Sequence, residues 1–197
     1  MNGRKIAYSI ALLLLCGIAC INCKPSSIPK PRGYIRIDLP EKKYQLFNEK
    51  TYPYQFEYPV YGEIVPDTLS RDYEPYWINV LFPKYKATLH ISYKRVDKNL
   101  SKILDDSYNF VYRHVVKADA IDELIFVNEE QKAYGFLYAI GGDAASAVQF
   151  YVTDSTTNFL RGALYFNVTP NRDSLNPYID YFTEDIMYLM QTISWKK

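Results

Sequence analysis

Apolar and polar residues alternate with a period of two along residues 158–168, where Leu160, Gly162, Leu164, Phe166 and Val168 interleave with Phe159, Arg161, Ala163, Tyr165 and Asn167. Successive side chains of a strand point to opposite faces, so this pattern predicts a strand whose first set lies in the core. Residues 144–153 are a second strand candidate. Between the two, Asp154-Ser155-Thr156-Thr157-Asn158 is turn chemistry, because short polar side chains bond their own backbone; together they predict a β-hairpin. Residues 124–128 and 132–140 precede it as two further strands. Gly141-Gly142-Asp143 marks another hairpin, since glycine tolerates positive φ.

Upstream, residues 76–82 and 87–96 flank Pro83-Lys84-Tyr85-Lys86 and predict a hairpin with Ala87, Leu89, Ile91 and Tyr93 facing inward. Thr88, His90, Ser92 and Lys94 take the opposite face. Within residues 54–65, Phe56 and Tyr58 alternate with Glu57 while Pro59 and Gly62 interrupt, which predicts a hairpin at a sheet edge. Residues 33–40, with Ile35, Ile37 and Leu39 ahead of Pro40, read either as an edge strand or as a latch along the domain or into a partner.

Elsewhere the period changes to steps of three and four. Leu100, Ile103, Leu104, Ser107, Tyr108, Val111, Tyr112 and Val115 predict an amphipathic helix with Asn99 as its cap. A closing helix is predicted behind Asp173, Ser174 or Asn176 as cap, with Pro177 in its first turn and Ile179, Phe182, Ile186, Leu189 and Ile193 facing inward. Strands, a helix, four tightly linked strands and a last helix predict the α+β class. The expected form is an antiparallel sheet of about six to eight strands with two main helices packed on it, an order similar to the PsbP/Mog1 type of sandwich.

The first residues break from these patterns. Arg4 and Lys5 precede an apolar run of roughly 16 residues to Ile21, short of the about 20 that a spanning helix needs, so residues 1–19 read as an export signal. All three cysteines of the chain, Cys16, Cys20 and Cys23, fall here. Gly17-Ile18-Ala19-Cys20 resembles a bacterial lipobox, which makes Cys20 the expected lipidated residue and Cys23 the alternative. Residues 20–33 then form a Pro-rich tether, which at about 3.1 Å per residue reaches on the order of 30 Å from a bilayer. Residues 34–197 are expected to make a single globular domain. The export signal and lipid predict a protein held to a membrane.

Composition narrows the partners. Lys and Arg number 23 against 22 Asp and Glu, a net charge of +1, so nothing favours nucleic acid or an anionic surface. With no cysteine after the tether and only His90 and His114 in the body, neither a disulfide framework nor a metal site is expected. Ser155 beside Asp154 is the one nucleophile candidate, and turn chemistry explains it. Gly141-Gly142 lies between strands, without the following helix or Lys-Ser/Thr pair of a phosphate cradle. No catalytic residue and no cofactor is predicted.

Tyrosine is in excess, with 20 Tyr and 10 Phe bringing aromatics to 16%. Rings of this kind suit sheet packing, and they suit recognition surfaces. Arg161, Tyr165 and Asn167 share one strand face, with Tyr151 and Thr153 expected across from them on the neighbouring strand. A helix over that face makes them structural, and an open face makes them a partner-binding patch, together with Arg32, Tyr34 and Arg36 near the tether.

Four segments, PKPRGYIRIDLPEKKY from Pro29, PYWINVLFPKYKATLHISYK from Pro75, HVVKADAI from His114 and QFYVTDSTTNFLRGALYFN from Gln149, together resemble the gliding-motility lipoprotein GldD family of Bacteroidota. The resemblance implies a lipid-bearing cysteine and membership of the envelope apparatus that couples gliding to type IX protein secretion. The expected partners are other components of that apparatus, and the family implies no enzymatic activity. Ile21-Asn22-Cys23-Lys24 lacks the acidic residues that sort lipoproteins elsewhere, so the periplasmic face of the outer membrane is the expected location. A glycan- or peptidoglycan-binding periplasmic module is the alternative, to be marked by a deep pocket lined by Tyr and Trp.

Overall fold

In the computed structural model of the protein, residues 38–68, 74–113, 118–169 and 172–196 are described. The export signal, the tether and the alternating residues 33–37 lie outside them. The body begins at Leu39. Its elements are β1 (Tyr44–Phe47), β2 (Tyr54–Pro59), β3 (Glu63–Pro66), β4 (Ile78–Phe82), β5 (Ala87–Arg95), α1 (Leu100–Tyr112), β6 (Ile121–Asn128), β7 (Ala133–Ile140), β8 (Ser146–Thr153), β9 (Asn158–Phe166), α2 (Arg172–Thr192) and β10 (Ser194–Trp195).

The strands form two antiparallel sheets, a seven-stranded one in the order β3-β4-β5-β9-β8-β7-β6 and a three-stranded one in the order β1-β2-β10. The predicted class is therefore the observed one, with two helices and one large antiparallel sheet. The hairpins β4–β5, β7–β8 and β8–β9 form as the sequence predicts. Between β4 and β5 the chain makes a 3-10 turn over Pro83–Tyr85 and reverses at Lys86, φ 48°. Between β7 and β8 the reversal rests on Gly142 at φ 84°, where a side chain would be strained.

The alternation in β5 and β9 decides what each face meets. Leu89 and Ile91 on β5 sit beside Leu164 and Gly162 on β9, and with Val148, Phe150 and Val152 of β8 they form the inner face. α2 lies against it through Phe182, Ile186, Leu189 and Met190, Ile193 follows just past the end of the helix, and β1 and β2 add Phe47, Tyr54 and Phe56, all in one buried cluster. The outer face carries His90, Ser92, Arg161, Ala163, Tyr165, Gln149 and Tyr151, and α1 packs on that side.

Three predictions are corrected. Residues 54–65 are not a hairpin: β2 pairs with β1 and β10, whereas β3 pairs with β4. The turn closed by Gly62 N–H on the Pro59 carbonyl (2.9 Å) passes the chain from one sheet to the other, so that Tyr54 and Phe56 reach the shared core from the small sheet and Ile64 from the large one. α2 begins at Arg172, so Pro177 lies inside the helix and not in its first turn. Asn99 precedes α1 but makes no side-chain cap bond; its Oδ1 accepts instead from Asp97 N–H (2.8 Å). The short strands β1 and β10 had no sequence signal, since four and two residues are too few to show a period.

Candidate functional site

α1 rests on the outer face at both ends. Ile103 packs with Val96 and Phe159, and Val111 with Tyr138, Ile140 and Ala144. Alongside it, over β5 and β9, lies a cleft of about 700 Å³. Trp77, Phe110, Phe159 and Ala163 give it apolar walls; Ser92, Tyr165, His90, Lys94 and Arg161 supply hydroxyls and bases; Asp67, Glu74 and Asp106 supply acids.

Arg161 reaches this cleft from the middle of β9 and is mostly buried. Its Nη2 donates to Gln149 Oε1 at 2.5 Å, and its guanidinium carbon stands 4.9 Å from the centre of the Phe110 ring, within cation–π reach. Burial pushes the Arg161 pKa down, but from a range where a guanidinium stays charged at any physiological pH. Lys94 faces Glu74 at 3.6 Å. His90 Nδ1 lies 2.6 Å from Asn79 Oδ1, and its ring meets Tyr165 edge-on at 5.5 Å. Burial pushes the His90 pKa below the ordinary histidine value, with the Asp67 charge opposing it. The ring is therefore neutral at pH 7, and Nδ1–H is the donor to Asn79.

The predicted candidates divide. Arg161 and Tyr165 come together on the cleft. Tyr151 lies instead among Phe159 (5.4 Å between ring centres), Phe136 (5.9 Å) and Tyr138 (6.5 Å), where its ring packs next to α1. Cys20, Cys23, Arg32, Tyr34, Arg36 and His114 lie outside the described residues. Sequence reasoning missed three features: Trp77 and Phe110 as walls, Gln149 as the partner of Arg161, and the place of the predicted strand at residues 124–128 on the edge of the sheet. Gln149 had a signal, a lone amide in the apolar strand SAVQFYVT, and it is fully buried.

Ser155 and Asp154 are explained by the β8–β9 turn. Asp154 Oδ1 accepts the backbone N–H of Thr156 (2.9 Å), Thr157 (2.7 Å) and Asn158 (2.8 Å), and Oδ2 accepts from the Asn158 amide (2.7 Å). Ser155 takes φ 65° to close the loop. Among the described residues no hydrogen bond joins a serine hydroxyl, a histidine and a carboxylate. Burial pushes the Asp154 pKa up, but the donors pull it down by more, so it ends below the usual carboxylate range. A depressed carboxylate contributes its full stability above the unfolded pKa of about 3.9 and loses it as pH falls through the folded value. Asp154→Ala is therefore expected to cost about 1–2 kcal/mol at pH 7, kept low by solvent screening. In urea titrations of the two proteins, the gap should close as the pH is taken below that range.

No group of three or more His, Cys, Asp or Glu among the described residues is placed to hold a metal ion, and no described helix is long and apolar enough to cross a membrane. Known proteins bear on the rest. No curated protein matches the chain significantly. Among solved structures, the solution structure of cyanobacterial PsbP (CyanoP) from Synechocystis sp. PCC 6803 is similar, with a TM-score of 0.47 and 11% identity over 82% of this chain and 98% of that one. A family model described as gliding motility lipoprotein GldD matches residues 24–195. That span takes in all four of the segments whose resemblance the sequence displayed, so the chain belongs to the GldD family of gliding-motility lipoproteins, anchored by lipid in the cell envelope.

Proposed function

We propose that this lipoprotein is a docking and assembly component of the envelope apparatus that couples gliding to type IX protein secretion, and that it holds partners without catalysing a reaction. Cys20, or alternatively Cys23, carries the lipid, and the body works from the periplasmic face of the outer membrane. The observation that carries the docking reading is the free edge of the large sheet. Among the described residues β6 pairs with β7 only, and its Leu124, Ile125 and Val127 are 49%, 69% and 56% exposed. Edge strands are ordinarily blunted by charge or proline; here the acids Asp122 and Glu123 are confined to the first half of the strand, and Leu124 to Val127 are apolar on both faces. An edge of this kind accepts an added strand, the backbone giving affinity and the side chains selectivity. The partner is accordingly an extended segment of another envelope component.

A photo-crosslinking residue in place of Ile125, activated in intact cells, tests this. The expected adduct is a second gliding or secretion protein, lost when Leu124 and Val127 are both changed to lysine, and loss of the adduct is expected to coincide with loss of colony spreading. Crosslinks to other, unrelated proteins, or wild-type spreading by the double variant, would count against the docking reading. The cleft walled by Trp77 and Tyr165 favours a second reading, a glycan- or peptidoglycan-binding module. Adducts with peptidoglycan alone would establish it.

A further inference from the structure

The cleft beside α1 is bordered by a cation, Arg161, which is held by a buried amide, Gln149. Arg161 Nε and Gln149 Nε2 are both buried and have no hydrogen-bond partner among the described residues. The orientation of the Gln149 amide is fixed by Arg161: a donor at 2.5 Å requires the oxygen there, so the amide nitrogen must point elsewhere. No carboxylate pairs with Arg161 among the described residues. Glu74 faces Lys94, Asp106 makes no ion pair among the described residues, and Asp67 bears on His90.

Leaving a buried donor unsatisfied is expensive, and leaving a buried charge without a countercharge is more so. The complement of a buried guanidinium whose Nε–H is unused is an oxyanion. Two chemistries meet that description, a phosphate and a carboxylate. The lining decides between them. Asp67, Glu74 and Asp106 border the same cleft, and Lys94, the other long cation there, already faces Glu74. A dianionic phosphate would meet three acids with one free cation, whereas a carboxylate carries a single charge that Arg161 matches. Trp77, Phe110 and Phe159 offer the rest of the ligand an apolar seat, in a volume within the range of small-molecule sites.

We infer that the cleft is a binding site for a carboxylate at the end of a small apolar body, with Arg161 as its receptor, Gln149 as the residue that positions Arg161, and Trp77 and Phe110 as its walls. This goes beyond the docking reading, which is decided at β6 whether or not the cleft fills. The same chemistry has two sources, the C-terminus of a peptide and a free apolar acid.

Trp77 reports occupancy. The chain has two tryptophans, and Trp195 donates to the Lys132 carbonyl elsewhere on the body, so full-length protein carrying Trp195→Phe leaves Trp77 as the only tryptophan signal. The probes are N-acetyl-Leu-Phe, its C-terminal amide and decanoate, the last kept below its micellar concentration. Saturable quenching by at least one carboxylate is expected, with the amide at least tenfold weaker. Tighter binding of the acetyl dipeptide points to a peptide terminus, and tighter binding of decanoate to a free acid. Arg161→Met should abolish the signal. Because that variant could also disturb the fold, Gln149→Glu is the second arm: it gives Arg161 an internal countercharge. It is expected to raise the melting temperature by about 3 °C while weakening every carboxylate probe at least tenfold. Absence of saturation with either carboxylate up to ~10 mM, a very weak interaction, would overturn the site, the two donors then facing water. Equal affinity for acid and amide, or unchanged binding in Gln149→Glu, would overturn it as well.

Discussion

Replacing Asp185 by alanine is expected to lower the melting temperature of the full-length protein in detergent by about 10 °C, the equivalent of about 3 kcal/mol for a chain of this size. Asp185 projects from α2 and is 3% exposed. Its Oδ1 accepts from Lys42 Nζ and from the Tyr44 hydroxyl, each at 3.0 Å, and its Oδ2 accepts from the Tyr61 hydroxyl. Burial and then this carboxylate push the Tyr61 pKa up, so the hydroxyl is held protonated as a donor. Lys42 also donates to the Tyr181 carbonyl at 2.6 Å and stands 4.1 Å from the centre of the Tyr181 ring. One acid thus ties three separate stretches to α2: the segment where the body begins, β1, and the turn between β2 and β3. Alanine removes the shared acceptor, taking from the Tyr44 hydroxyl its partner and leaving the Tyr61 hydroxyl only the neighbouring Tyr181. Glu184, 3.1 Å from Lys42 but 70% exposed, replaces little of it. Calorimetry gives the shift, and a cycle with Tyr61→Phe isolates the pair: the double variant should lose clearly less than the sum of the single ones. A loss of under about 3 °C would mean that the cluster is held by packing alone.

That cluster shows where sequence reading stops. Each of its members is more than 120 positions from Asp185 in the chain, and no local pattern links a lysine after Pro40 with an acid in the last helix. Period-two alternation, by contrast, is local and physical. It places His90, Ser92, Arg161 and Tyr165 on one face of β5 and β9, and it does so because burying one face of a strand constrains every second residue. What it leaves open is whether a helix lies on that face. α1 answers for part of it, next to Tyr151, and leaves the rest as a cleft with Arg161. The register between β8 and β9, which sets Gln149 diagonally across from Arg161, is a tertiary fact with an irregularity between Ser146 and Val148 that no pattern of apolar residues encodes.

The apolar edge illustrates the opposite failure. Leu124-Ile125-Phe126-Val127 belongs to a strand that the sequence predicts over residues 124–128, and a run without alternation does not say which face is covered. In the fold it is the last strand of its sheet, and only Phe126 is packed against the main core. Sequence gives the strand and not its place in the order, and place is what leaves Leu124, Ile125 and Val127 at the surface.

Gly135→Ala is expected to destabilise the protein by about 3 kcal/mol or more, against the gain of roughly 0.5–1 kcal/mol that alanine for glycine gives at an unstrained position. Gly135 lies in β7 opposite Val152 of β8. A Cβ there would stand 1.8 Å from the Tyr151 carbonyl oxygen, 2.8 Å from its carbon and 3.1 Å from Val152 Cα. All three atoms are backbone, so no side chain can turn aside, and relief requires β7 and β8 to part. The parting would reach the outer face, because the next pairs along this ladder are Phe136 with Tyr151, Leu137 with Phe150 and Tyr138 with Gln149. Gln149 would then be drawn off Arg161, coupling the fold of β8 to the receptor corner of the cleft. Denaturant titration of the full-length protein is the measurement: a lower midpoint at unchanged slope is a stability loss in the native state. An unchanged or higher midpoint would mean that the two strands have room for a methyl group, and that glycine at this position is a matter of chance.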